Sequence, residues 1–393
     1  MEPQPDDRGA VRLRCRSVGD GVDGAEALLR SGTPVVLELA GDDVLLDAVG
    51  ELARLTLVAR RCGTQLRVHA RAPALRHLAE LVGLCDVLHV GAADGGCPSV
   101  GRASTVRRMR TGVVLFTSDR GIRPADAAAA AERLGFDAFY VPEHTHIPVR
   151  REAVHPGTGT AELPDDRYAR TLDPWVALAT AAAVTSRIRL ATAVALPVES
   201  DPITLAKTIA SLDHLSGGRV TLGAGFGWNT DELADHGIPG GRRRTALREH
   251  LEAMRALWTQ EEASYDGEFV SFGPSWAYPK PVQDHVPVLV GAGGTERTFG
   301  WICAHADGWI TTPRETDVDE IGRQVALLRR MWSDAGRSGV PQVVALGGRA
   351  DAERSARLAE AGVTDLAVGM PDAEPDAVVH YLERVAERLG LSG

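Results

Sequence analysis

Four consecutive residues, Glu143-His144-Thr145-His146, follow the short apolar run Phe139-Tyr140-Val141. An imidazole changes charge near neutral pH, so this quartet could move a proton or ligate a metal. Two histidines at i, i+2 with a glutamate suit zinc or iron, but no third distant ligand stands out. His155, His214, His236 and His285 lie in unrelated contexts. A proton-handling histidine at a strand end inside a cofactor pocket is the better reading, with His144 the first candidate and Glu143 the second. A Ser-His-Asp hydrolase is disfavoured, because there is no G-x-S-x-G elbow.

Two glycine clusters form the second set. LGAGFGWN carries Gly223, Gly225 and Gly227 at alternate positions before Asn229, and GAGG places Gly291, Gly293 and Gly294 at the opening of a helical run. Glycine lets backbone N–H groups approach an anion, and a helix N-terminus adds a favourable dipole. The spacing is G-x-G-x-G, not the G-x-G-x-x-G of a dinucleotide site. One cluster alone reads as a tight turn, whereas two on successive units read as a phosphate cradle.

The elements that would position these residues repeat regularly from Met109 onward. Apolar runs at 113–116, 138–142, 188–194, 220–225, 288–291, 308–311, 343–347 and 366–369 alternate with helical patterns at 124–134, 174–185, 202–215, 242–259, 295–305, 318–335, 352–361 and 375–389. Continuous apolar strands fit a sheet covered on both faces. Eight β–α units predict an α/β protein of the (β/α)8 TIM-barrel class rather than a doubly wound open sheet. Barrel chemistry sits at the C-terminal ends of the strands, where Thr117-Ser118-Asp119, the Glu143 quartet, Thr192-Ala193-Val194 and both glycine clusters fall. The long segment 145–171, with Pro148, Pro156, Gly157 and Pro164, is expected to form part of a lid. Asp201-Pro202 reads as a helix cap, Arg219 as structural, and Lys207 as a partner for a carboxylate.

Ahead of the barrel, residues 1–90 read as a small α/β domain. Strands are expected at 34–39, 66–69 and 87–90, and helices at 47–61 and 73–82. Residues 91–108 (GAADGGCPSVGRASTVRR) read as a linker, and MRTGVVLFTSD after it looks like the start of an independent protein, as in a gene fusion or an upstream-extended start. A net charge of -10 argues against nucleic acid and anionic membrane as partners. Five cysteines without C-x-x-C spacing read as free thiols, and no leader-like or spanning apolar run is present, so a cytoplasmic location is expected.

The ordered stretches GVVLFTSDRGI, AERLGFDAFYVPEHTHIP, LDPWVALATAAAVTSRIRLATAV, DPITLAKTIASLDHLSGGRVTLGAGFGWN, HGIPGGRRRTALREHLEAMRALWT, YDGEFVSF and PKPVQDHVPVLVGAGG resemble the luciferase-like oxidoreductases across residues 109–393. The resemblance implies a flavin or deazaflavin at the C-terminal face of the barrel, with coenzyme F420 favoured and FMN the alternative. It places Asp119, His144, Thr192 and Ala193 near the ring, with a cis-peptide bulge at Ala193-Val194. Gly223, Gly225, Gly227, Asn229, Gly291, Gly293 and Gly294 would take the phosphate tail. The implied reaction is hydride transfer between F420 and a small organic substrate; the alternatives are an FMN-dependent monooxygenase and a non-catalytic ligand-sensing or anti-sigma-pathway regulatory protein. Residues 11–90 resemble the STAS domains of anti-sigma-factor antagonists. The family's phosphorylated D-S-x-G stands here as Asp47-Ala48-Val49-Gly50, without an acceptor hydroxyl, so a packing or dimerisation appendage is preferred to a phospho-switch. The expected partners are a small-molecule substrate, a second copy of the chain, and another protein through the STAS-like part.

Overall fold

A computed structural model of the chain describes residues 109–312 and 317–391 throughout. In the N-terminal part it describes residues 4–5, 11–15, 22–31, 33–39, 55, 58, 66–70 and 90–91. The chain divides into two compact units, Met1–Thr105 and Val106–Gly393.

In the first unit β1 (Gln4–Pro5), β2 (Val11–Cys15), β3 (Val35–Leu39), β4 (Leu66–Ala70) and β5 (Val90–Gly91) form one sheet in chain order. β1 is antiparallel to β2, and β2 to β5 run parallel. Helix α1 (Val22–Arg30) follows β2 and buries Ala25 and Leu29. The sequence reading missed β1, β2 and α1. In β2 the pattern Val-Arg-Leu-Arg-Cys interrupts its apolar residues with two arginines, so no continuous apolar run marks the strand. Leu55 and Val58 are helical and buried. The Asp47–Gly50 stretch, the helix expected at 73–82 and most of the linker lie outside the described residues.

The second unit is a closed parallel barrel. Its strands are β6 (Arg110–Leu115), β7 (Ala138–Val141), β8 (Arg189–Thr192), β9 (Val220–Gly225), β12 (Val288–Gly291), β13 (Gly308–Ile310), β14 (Gln342–Leu346) and β15 (Asp365–Met370). Closure distinguishes it from an open doubly wound sheet: β15 pairs with β6 in register from Asp365↔Arg110 to Met370↔Leu115. The expected strands lie within three residues of these bounds. β6 starts earlier than expected because Arg110 is a barrel residue, ion-paired to buried Asp365 at 2.7 Å.

Alternation of side chains divides the burial. Ala138, Tyr140, Ala191, Ala193, Leu289, Ile310, Val344 and Ala367 fill the interior of the barrel. The outward residues, Val113, Phe139, Leu190, Leu222 and Val290 among them, pack under the helices in the main core. The surrounding helices are α2 (Pro124–Arg133), α3 (Pro174–Val184), α4 (Pro202–Ser216), α6 (Arg243–Thr259), α7 (Glu296–His305), α8 (Val318–Asp334), α9 (Ala352–Glu360) and α10 (Pro375–Leu389). Their starts are chemically marked. Asp173 and Asp201 accept the N–H of the third helical residue, each with a proline at the first position, and Thr295, Asp317 and Asp351 cap in the same way.

Two additions fall outside the eight-unit count. A short helix α5 (Thr230–Asp235) follows β9, and an antiparallel hairpin, β10 (Ala263–Asp266) and β11 (Ser271–Ser275), separates α6 from β12. Arg219 is structural as expected: it donates to Thr185 Oγ1 and to the carbonyls of Ile188, Ala182 and Ser216, tying two β–α units together. Lys207 departs from expectation, because its ammonium donates to the backbone carbonyl of Tyr278 rather than to a carboxylate.

Candidate active site

His144 lies just past the end of β7, with its side chain only 6% exposed. Its Nδ1 meets Glu232 Oε2 at 2.8 Å, and Glu232, on α5, is fully buried. Glu232 Oε1 accepts the Thr145 N–H at 3.0 Å, and the Asn229 amide donates to Oε2 at 3.3 Å. Among the described residues no protein group hydrogen-bonds His144 Nε2, which leaves that nitrogen for a ligand. Tyr168 and Trp228 stand against the imidazole, with ring centroids at 5.4 and 5.7 Å. His155 packs edge-on to both aromatic rings and meets Tyr168 Oη at 2.9 Å. The segment 145–171, expected as part of a lid, thus supplies one wall, and the Glu152 and Ala153 N–H groups donate to Asp231 on α5.

Glu143 points elsewhere. Its carboxyl is buried and accepts the Leu196 N–H at 2.6 Å, while its own N–H donates to Val194 O. Burial pushes the Glu143 carboxyl up to about 7, against the opposing pull of that Leu196 hydrogen bond. A third buried carboxyl, Glu199, accepts from Thr145 Oγ1 at 3.1 Å. Burial, and next the charge of Glu232, push Glu199 up to about 9. Among the described residues no group of three or more His, Cys, Asp or Glu is placed to hold a metal ion.

The raised carboxyl sets a pH dependence. Between pH 4.5 and about 9 the unfolded chain has released the Glu199 proton and the folded chain retains it, so stability falls as pH rises through that window. Glu199→Gln mimics the protonated form. It is expected to melt several degrees above wild type at pH 8, a shift of roughly 3 °C or more, with the gap closing below pH 4.5. Melting curves over this range check it, and a pH-independent difference between the two proteins contradicts it.

The end of β8 builds the floor. The Thr192 hydroxyl is committed to β9, donating to Gly223 O at 2.8 Å and accepting the Gly223 N–H at 3.0 Å. The Ala193-Val194 peptide is cis, as the resemblance implies. The Val194 side chain lies between the two glycine clusters. A Cβ on Gly225 would come within 2.6 Å of Val194 Cγ2, and one on Gly291 within 2.4 Å of Val194 Cγ1. A Cβ on Gly223 would stand 2.0 Å from Thr192 O. These three glycines therefore admit protein atoms. Gly225 is not in the positive-φ region, whereas Gly227 is, at φ 75° beside Leu233. Gly294 faces Gln324, and Gly293 alone in the second cluster has open space where a Cβ would point. Asp119 is half exposed and held by Arg170 at 3.0 Å from both carboxylate oxygens, which lowers its pKa.

The first turn of α7, which Gly293 precedes, meets a side chain not expected from the sequence. Arg244 of α6 stacks over Phe226 at 4.1 Å, and its Nη2 meets Thr298 Oγ1, in the first turn of α7, at 3.4 Å. Its Nη1 is buried without a hydrogen-bond partner. Burial, and then the nearby Arg297 and Arg243, lower its pKa. A cation with an unmatched donor, an open glycine and a helix N-terminus together fit a phosphate. Arg244 was hidden within the run Arg242-Arg243-Arg244, since one-dimensional sequence does not say which of three arginines turns inward. Glu232 was hidden differently. Asn229-Thr230-Asp231-Glu232 has the spacing of a helix capping box, which accounts for both polar ends without a site. In the structure Asn229 makes no cap bond, and its amide holds Glu232.

The closed barrel with a buried histidine at its C-terminal face can be set beside known proteins. Residues 117–390 match the model of the luciferase-like monooxygenase family, so the chain belongs to that family. It is 69% identical over 281 residues to an uncharacterized protein of Mycobacterium tuberculosis, covering 72% of this chain and 99% of the relative. It is 32% identical over 194 residues to the F420-dependent glucose-6-phosphate dehydrogenase of Kineococcus radiotolerans, covering 47% of this chain and 52% of the relative. The F420-dependent tetrahydromethanopterin reductase of Methanopyrus kandleri shares the fold, with a TM-score of 0.57 at 18% identity over 72% of this chain and all of that one. No described helix is long and apolar enough to cross a membrane.

Proposed function

We propose that the barrel is a coenzyme F420-dependent oxidoreductase acting on a small organic substrate, with His144 moving the proton that accompanies hydride transfer. The observation that carries this reading is the two-sided environment of His144: Nδ1 anchored to buried Glu232, Nε2 without a protein partner. The F420-dependent relatives support the choice of coenzyme. When bound, the deazaflavin supplies or accepts the hydride.

The residues of the chain do the rest. Arg244, Thr298 and the open Gly293 at the start of α7 would hold the phosphate. Val194, wedged against Gly225 and Gly291, would form the floor under the ring. Tyr168, Trp228 and His155 keep water from the imidazole. In the oxidising direction Nε2 takes the proton of a substrate O–H as the hydride departs, and in the reducing direction it returns one. Glu232 fixes the orientation of the ring. The N-terminal unit, with its parallel β2–β5, is read as a STAS-like appendage that does not carry this chemistry.

The test is titration of the purified chain with F420 and, separately, FMN, followed by absorbance and fluorescence. Saturable F420 uptake without FMN uptake is the expected result. FMN bound in preference would replace this reading with that of a monooxygenase, and uptake of neither would leave a non-catalytic barrel.

A further inference from the structure

Glu199 is a buried carboxyl that the proposed chemistry does not use. It lies near enough to Glu232, the partner of His144, for that charge to raise its pKa, and its Oε1 is buried without a hydrogen-bond partner. On its other side Thr145 Oγ1 stands 3.1 Å from Glu199 Oε2, 2.8 Å from His236 Nε2 and 3.1 Å from His146 Nδ1. His146 Nε2 continues to Asp235 Oδ2 at 2.9 Å, where the side chains are 41% and 61% exposed, and His236 is exposed as well. These groups run from the Nδ1 edge of a buried imidazole to solvent, and the step between the Glu232 and Glu199 carboxyls is the one that a proton on the unpartnered Glu199 Oε1 would complete.

We propose that Glu232, Glu199, Thr145 and the His146–His236 pair form a proton conduit that re-equilibrates His144 with solvent through Nδ1, leaving Nε2 free to serve the substrate. Proton counting shows that a proton has a place on each side of the Thr145 hydroxyl. The Thr145 hydroxyl has one proton, and with His236 Nε2 as a donor to it two acceptors still claim that proton: an ionised Glu199, and Nδ1 of a neutral His146 whose Nε2–H points to Asp235. A protonated Glu199 removes the conflict, because it donates to Thr145 and lets the hydroxyl turn to His146. Burial of Glu199 holds it protonated near neutrality, so the two hydroxyl orientations correspond to a proton at either end. Each passage breaks and forms only O–H and N–H bonds: one proton enters at His146 or His236, one arrives at His144 Nδ1, and Nε2 yields one to the substrate. The reverse direction drains the proton taken from it. Asp235 keeps protons at the mouth.

The conduit rests on the proposed role of His144, but its test needs neither coenzyme nor turnover. In the full chain, exchange of the His144 ring N–H groups with water is measured by nitrogen-15 NMR, assigned through loss of the signals in His144→Gln. Thr145→Val keeps the shape of the threonine and removes the hydroxyl. It is expected to slow exchange at Nδ1 by roughly 10²-fold, the lower end of what a positioned proton-transfer group contributes, with Nε2 exchange unchanged. A His146→Gln/His236→Gln double variant, which leaves Glu232, Glu199 and Thr145 intact, is expected to slow Nδ1 in the same selective way. Unchanged Nδ1 exchange in both variants overturns the conduit, as does a parallel change at both nitrogens, which reports a structural loosening. Failure to bind F420 would count against the proposed reaction and leave this result standing.

Discussion

Replacing His144 by glutamine is expected to lower turnover by roughly 10²-fold or more, the scale of general acid–base catalysis, while coenzyme binding persists. Glutamine keeps a hydrogen-bond donor and nearly fills the same space, but it transfers no proton near neutral pH. The substitution therefore separates two roles that alanine would remove together. Stability should change little, because the amide can still meet Glu232, which keeps its bonds from Thr145 N–H and Asn229. Near-normal turnover with an unchanged pH profile would reduce His144 to a binding residue and leave Glu143, raised to about 7 by burial, as the remaining proton carrier.

The second large effect distinguishes glycines of the two clusters. Gly225→Val places branched atoms where Val194 already lies 2.6 Å from a Cβ and Leu196 Cδ2 lies 3.3 Å away. The expected loss is about 1–3 kcal/mol of stability, the usual range for an overfilled core, together with disturbance of the Val194 floor and weakened coenzyme binding. Gly293→Val meets nothing within 4 Å in the protein. It should leave the melting temperature unchanged and reduce coenzyme affinity by roughly tenfold or more, because one charge-assisted phosphate contact of about 1.5–3 kcal/mol is blocked. Thermal melts paired with F420 titrations decide the matter. If Gly293→Val binds normally, the phosphate does not lie at the start of α7, and Arg244 has another anion.

The barrel was legible because its signal is local and repeated. Short runs such as Ala-Phe-Tyr-Val at 138–141 carry their burial in their composition, and Asp-Pro pairs at 173–174 and 201–202 mark where helices begin. The ends of strands were legible too, since a strand fixes where its chain emerges; this placed Glu143, His144, Thr192 and the glycine clusters at one rim.

What the sequence by itself determined, then, was the eight-unit repeat, its family and which rim holds the polar residues. What tertiary structure alone decided was the direction each of those residues faces and what it meets. Glu143 and His144 are chain neighbours, yet one carboxyl turns to Leu196 N–H while the imidazole turns to Glu232 on a helix 88 residues away. Gly223, Gly225 and Gly291 looked like an anion cradle, but they are small because Thr192 and Val194 occupy the space beside them. Arg244 emerged from three consecutive arginines only once Phe226 and Thr298 were seen beneath it. The physical reason is common to all of these. Secondary structure follows from interactions within a few residues along the chain, whereas the partner of a buried polar group is set by how separate β–α units pack, and nothing in the local sequence encodes that distance.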